Sequence, residues 1–130
     1  MATVHREPNQ VKWVGVRPGH NGEQVLEHGE AIGATVVLYT VPATKILLLF
    51  GFTCGMSCSA NGVGTLGIYT DVPVLHRYLF FSSVQANNAV AGCRDYSIPI
   101  EIPAGYSIRA ISAAATLGVR AVIDGILIDA

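Results

Sequence analysis

Apolar and polar residues alternate along most of this chain in short runs, each closed by glycine, proline or asparagine. Thr35-Val-Val-Leu-Tyr-Thr-Val41 is β-branched and aromatic and stops at Pro42; Lys45 to Thr53 follows after the turn Val41 to Thr44. Gly55 to Gly62 reads as a small-residue loop ending in Asn61-Gly62, a hairpin-type turn signal. Gly64 to Thr70 places Leu66 and Ile68 on one face, Asp71-Val72-Pro73 turns the chain, and Leu75 to Val84 makes the next strand. A polar connection, Gln85 to Asn88, leads into Ala89 to Asp95, and Tyr96 to Ile102 sets Ile98, Ile100 and Ile102 against Ser97, Pro99 and Glu101. Pro103-Ala104-Gly105 forms a tight turn, Tyr106 to Ala113 returns, and Val119 to Ile128 is the last strand.

That is about eight strands at a spacing of roughly eight to twelve residues, the pattern of a two-sheet antiparallel sandwich of jelly-roll type. No window of about twelve residues carries a helical period with caps; Ile111 to Leu117 offers at most one helical turn. Parallel strands need crossover connections, so the lack of helices excludes a parallel α/β sheet.

Residues 1 to 33 depart from this pattern. They hold Arg6, Glu7, Lys12, Arg17, Glu23, Glu27 and Glu30 with three of the four histidines, broken by Pro8, Pro18, Gly19, Asn21-Gly22 and Gly29. Only Val11 to Val16 has strand character. The expected organisation is an extended N-terminal arm with one or two short strands (1–33), followed by the sandwich (34–130). Two runs, Ile46-Leu-Leu-Leu-Phe50 and Tyr78-Leu-Phe-Phe81, are apolar on both faces of their strands. Each needs a cover on both sides, from the arm or from another subunit.

Composition sharpens that point. Of 130 residues, 51% are hydrophobic and only 13% charged, against about 25% charged in an ordinary soluble domain. A monomer this poor in charge exposes apolar patches, and such patches mark contacts with partners. The formal net charge is −1 and the eight basic residues are scattered singly, so no field draws nucleic acid or an anionic membrane. Met1 to Pro8 lacks the apolar core of a signal peptide. Ile46 to Met56 is uncharged but falls short of the roughly 20 residues a spanning helix needs. A protein made in a cytosol is expected.

Candidate chemistry is thin. Cys54, Cys58 and Cys93 are odd in number, so they cannot all pair within one chain, and a cytosolic origin argues for reduced thiols. The C-x₃-C spacing with Cys93 and a histidine is a conceivable zinc set; small buried hydrophobes are the better reading, since Cys54 ends an apolar strand. His5, His20, His28 and His76 form no ligand pattern, and the core strands lack the clustered His and Glu of a metal-binding cupin. Asp71 and Asp95 read as turn residues, Glu101 as a polar-face residue, and no carboxylate pair is held by a motif. Gly62-Val-Gly64 lacks the Lys-Ser/Thr of a phosphate loop. No catalytic residue, cofactor or metal is expected.

Ser97-Ile-Pro-Ile-Glu-Ile-Pro-Ala-Gly-Tyr-Ser-Ile108 and Val41-Pro-Ala-Thr-Lys-Ile46 carry a resemblance. Together with the final strand holding Asp124-Gly125, they resemble the small jelly-roll virion proteins of tailed bacteriophages over about residues 35 to 129. The resemblance implies a non-enzymatic virion component made in the host cytoplasm. It implies a homotrimer placed on the capsid surface as a decoration (cement) protein, with the major capsid protein as partner. The alternatives are a tail or fibre component that binds a receptor or carbohydrate, and a cupin-like metalloprotein. Neither nucleic acid nor membrane is an expected partner. Candidate inter-subunit contacts are Trp13 and Arg17 in the arm and Tyr78, Phe80 and Phe81 in the sandwich.

Overall fold

A computed structural model describes residues 22–130. Eight strands fill them: β1 (Glu23–Ile32), β2 (Thr35–Thr40), β3 (Lys45–Cys58), β4 (Gly62–Tyr69), β5 (Leu75–Val84), β6 (Ala89–Ile102), β7 (Ser107–Ser112) and β8 (Leu117–Asp129). They form two antiparallel four-stranded sheets, ordered β1-β8-β3-β6 and β2-β7-β4-β5. The pairings are nested. β4 pairs with β5 across the central hairpin, β3 with β6, β2 with β7, and β1 with β8. The chain is thus one long hairpin, rolled up so that β8 also meets β3 and β7 also meets β4. This is the jelly roll the strand spacing predicts.

Rolling a hairpin forces both of its arms to change sheet at the same places, and each corner is tied by hydrogen bonds. At the first, the Ser112 N–H donates to Ala34 O (2.9 Å) and the Gly33 N–H to Ser112 Oγ (3.0 Å). At the second, the Val41 N–H donates to Tyr106 O and the Gly105 N–H to Val41 O, both at 2.9 Å. At the third, the Asn87 N–H donates to Cys58 O and the Ala86 N–H to Asn61 Oδ1, again at 2.9 Å. The second corner joins the two Pro-Ala turns. Gly105 has φ +83° and the Tyr106 N–H reaches Pro103 O at 3.2 Å, the geometry of a type II turn that wants glycine third.

The inner faces build one core from both sheets, with Leu47, Leu49, Leu66, Ile68, Ile102, Ile108, Leu117, Val119 and Ile123 all at most 1% exposed. β3 supplies Leu47 and Leu49 before Phe50, and Phe52, Cys54, Met56 and Cys58 after it. The side-chain parity flips because Phe50 is an extra residue: Leu49 pairs with Gly125 of β8 and Gly51 with Asp124. On the other side Leu49 pairs with Ile100 and Gly51 with Asp95, so Tyr96 to Pro99 bow out opposite Phe50.

Two expectations shift, at Gly55 to Cys58 and at Ile98. Within the stretch read as the arm, Glu23–Ile32 is β1, at the edge of the first sheet. Its charges mislead because an edge strand buries little; only Val25 and Ala31 are core. Gly55 to Cys58 is strand rather than loop, lying between β8 and β6. Ile98 does not share the core with Ile100 and Ile102; the bowed segment leaves it 60% exposed. Residues 1–21, with the expected strand at Val11 to Val16, lie outside the described residues.

Candidate functional site

The outward side of the β2-β7-β4-β5 sheet follows from register. Leu66 and Ile68 of β4 face the core, so Thr65, Gly67 and Tyr69 face out. Their partners on β5 are Phe81, Tyr78 and Leu75; on β7 they are Ile111, Arg109 and Ser107. Beyond β7, β2 adds Thr35, Val37 and Thr40. Among the described residues of these four strands, Arg109 is the one charged side chain on this face.

Its outer edge is aromatic. Tyr78 and Phe81 are 52% and 53% exposed, with ring centroids 5.4 Å apart. Leu75, together with Val72 and Val74 of the β4–β5 turn, extends the apolar surface past the end of the sheet. Tyr69 and Arg109 sit at its centre. The Arg109 guanidinium lies 5.7 Å from the Tyr69 ring centroid, while its Nε donates to Ser107 Oγ at 2.9 Å. Burial pushes the Tyr69 hydroxyl above the ordinary phenol range, helped by Tyr78 and opposed by Arg109. β5 is also an edge strand, with one long side of its backbone unpaired within the sheet.

Of the residues proposed as contacts, Tyr78 and Phe81 come together on this face. Phe80 turns inward, because β5 bulges at Leu79 between the Tyr78 and Phe80 pairings. It packs beside Phe52, 6.5 Å between centroids. Trp13 and Arg17 lie outside the described residues. Sequence reasoning missed Tyr69, Leu75, Val37 and Ile111 as members of the face. Alternation assigns each to one side of its own strand, and the neighbouring strands appear only with the fold.

The titratable groups are dispersed. Cys54 and Cys58 are buried on the inner face, and the Cys58 thiol reaches Val84 O at 3.5 Å. Cys93 is exposed and paired with Thr53, which points out of the same sheet, so it stands on the opposite side from the other two. Among the described residues, no three His, Cys, Asp or Glu side chains stand close enough to share a metal ion. His76 packs edge-on to Tyr106, 5.5 Å between centroids. Asp129 pairs with Lys45 at 2.5 Å, holding that ammonium above its usual range by hydrogen bond and charge. Glu30 pairs with Arg120 across the β1–β8 ladder. Asp95 is no turn residue; it and Asp124 flank Gly51 from the two neighbouring strands.

Thiol chemistry gives a direct check. A thiol reagent at neutral pH is expected to modify Cys93 at once, and Cys54 and Cys58 only on unfolding. Burial pushes the Cys54 thiol from 9.0 up to about 11. The unfolded thiol therefore ionises first. The contribution of Cys54 to stability is complete below pH 9 and is lost as pH rises towards 11. Cys54→Ala is expected to flatten that alkaline decline in a urea titration series; an unchanged slope would refute it.

No protein-family model matches this sequence, and no curated protein matches it either.

Proposed function

We propose that this protein is a structural assembly component that works by binding other protein chains. The type is a jelly-roll virion protein that joins copies of itself, as a trimer, and decorates a capsid surface. The observation that carries the reading is the outward face of β2-β7-β4-β5, with one charged side chain and an exposed row of Leu75, Tyr78 and Phe81. Removing such a row from water is worth about 25 cal/mol per Å² of apolar area, and aromatic residues are enriched in the cores of interfaces. A composition of 13% charge points the same way. The trimer, the virion and the tailed-phage setting rest on the resemblance carried by Val41 to Ile46 and Ser97 to Ile108.

Multi-angle light scattering at micromolar concentration tests the assembly directly. A stable trimer or larger oligomer is expected. Tyr78→Lys with Phe81→Glu is expected to return it to monomer with the far-ultraviolet circular dichroism of a β protein retained. A strictly monomeric wild-type protein would overturn the reading. Mass spectrometry of purified particles then tests the virion role, with a copy number divisible by three expected.

A second reading draws on the same grouping of aromatics: a receptor- or carbohydrate-binding module at a tail tip. Sugar rings stack on exposed aromatic faces, and Tyr69, Tyr78 and Phe81 share one side of the sheet. Glycan-array binding lost in Phe81→Ala, from a protein that stays monomeric, would favour it over self-assembly.

A further inference from the structure

A turn at the end of a sheet is ordinarily polar, because only water touches it. The turn after β4 is not. Asp71-Val72-Pro73-Val74 carries one acid and three apolar residues, all exposed, with Val72 at 71% and Val74 at 58%. It is also braced. The Thr70 N–H donates to Val74 O at 2.9 Å and the Val74 N–H to Thr70 Oγ1 at 3.1 Å, while Pro73 fixes its own φ. Its base lies against the neighbouring turn, where a Cβ on Gly105 would stand 3.3 Å from Asp71 Cβ. A rigid apolar knob of this kind loses little conformational freedom when it is buried. The outward face of β2-β7-β4-β5 poses the converse problem. Its one charged side chain, Arg109, lies between Val37 of β2 and Gly67 of β4, with Tyr78 beyond Gly67. Among the described residues its partners are neutral, Ser107 Oγ at Nε and the Tyr69 ring. A purely apolar cover would bury this guanidinium without a counter-charge, which is strongly destabilising. Whatever covers the face must therefore bring a carboxylate set among apolar side chains.

We propose that knob and face are the two halves of one contact. The Asp71–Val74 turn of one copy seats on the outward β2-β7-β4-β5 face of the next, with Asp71 on Arg109 and Val72 and Val74 against Tyr78 and Phe81. The proposal rests on the self-assembly reading above and names the surface that the second copy contributes. Charge complementarity selects it. Glu30 and Asp129 are engaged with Arg120 and Lys45 in their own sheet. Asp95 and Asp124 flank Gly51 on the other sheet, whose outward face lies on the far side of the sandwich. Stacking that face on this one would pile copies into an open column rather than close a trimer. Asp71 instead sits at the rim of the receiving sheet and is followed directly by Val72-Pro73-Val74. It stands four residues past Gly67, about 13 Å along the strand, so each copy's knob lies beyond its own face. Knob and face are different patches of one chain. Such a contact is heterologous, and heterologous contacts make rings when the rotation between copies closes.

Charge exchange tests the pairing, read by light scattering of the full chain at micromolar concentration. Asp71→Arg and Arg109→Asp are each expected to reduce the trimer to monomer, with the circular dichroism of the β fold retained. The chain carrying both exchanges is expected to recover the trimer, because the ion pair is restored with its sense reversed. Asp71→Lys with Arg109→Glu is the second pair should the first fail to fold. Asp124→Arg, the same change of charge on the exposed face of the other sheet, is expected to leave the trimer intact. A trimer undisturbed by Asp71→Arg would overturn the proposal. So would a doubly exchanged chain that stays monomeric, or dissociation by Asp124→Arg, while the assembly reading itself stood. A monomeric wild type would overturn that reading and this contact with it.

Discussion

Gly125→Val is expected to unfold the domain or bring it close to unfolding, and Gly125→Ala to cost about 2–3 kcal/mol, in the range of core overpacking. Gly125 lies on the inner side of β8, between Val25 of β1 and Leu49 of β3. A Cβ there would stand 2.8 Å from both Leu47 Cδ1 and the carbonyl oxygen of Leu48. Leu47 is fully buried in the core and has little room to swing aside. The Leu48 carbonyl belongs to a strand paired on both sides, so moving it disturbs β6 as well as β8. A typical domain has only about 5–15 kcal/mol in hand, so a branched side chain at this point consumes a large share. Gly55→Ala is the matched control. It lies in β3, where an added Cβ has no neighbour within 4 Å, and is expected to be neutral or slightly stabilising. Urea midpoints at constant slope measure both; a Gly125→Ala change within 0.5 kcal/mol of zero would show that the close approach is not there.

Phe52→Ala is expected to cost about 3–5 kcal/mol, the range for deleting a buried aromatic side chain. Phe52 is 6% exposed and meets Phe80 of β5 at 6.5 Å and Tyr96 of β6 at 6.4 Å, ring centroid to centroid. The Arg94 guanidinium closes the stack 5.3 Å from the Tyr96 ring centroid. These rings join the sheets where β5 and β6, both edge strands, face each other. Among the described residues β5 has β4 as its sole sheet partner, so losing Phe52 removes what pins its inner side. Amide exchange is therefore expected to rise first along β5. Phe52→Leu, which fills most of the space, is expected to recover over half of the lost stability. Uniform exchange across all eight strands would contradict this account.

Much of this fold is legible in the sequence because strand formation here is written in local alternation. Val36 to Val41, Leu66 with Ile68, and the Pro103-Ala-Gly turn each announce themselves within a few residues. Strand order does not, because it depends on pairings such as Glu23 with Leu127, made by residues far apart in the chain. The bulge at Phe50 is equally silent. One extra residue reverses which side chains point inward, so Leu48 and Phe52 share a parity in the sequence and stand on opposite faces in the structure. For the candidate surface, Tyr78 and Phe81 could be picked out by size and apolarity alone. Phe80 could not be told from them without the bulge at Leu79. Tyr69 and Arg109 join the surface only through the β4–β7 ladder.

The nesting of the strands bears on how the chain is made. The innermost pair, β4 with β5, needs only the turn that follows Tyr69, where the Thr70 N–H donates to Val74 O at 2.9 Å, and can close first. Each later pair encloses the one before it, and loop closure grows more costly with the length enclosed. The last of the eight to leave the ribosome, β8, is also an interior strand that must enter between β1 and β3. Until it arrives, the backbones of β1 and β3 lack their shared neighbour and the first sheet stays open. The sheet bearing Tyr78 and Phe81 is complete one strand earlier, when β7 docks. On the ribosome, therefore, the second sheet would be finished while the other half of the sandwich is still unsealed.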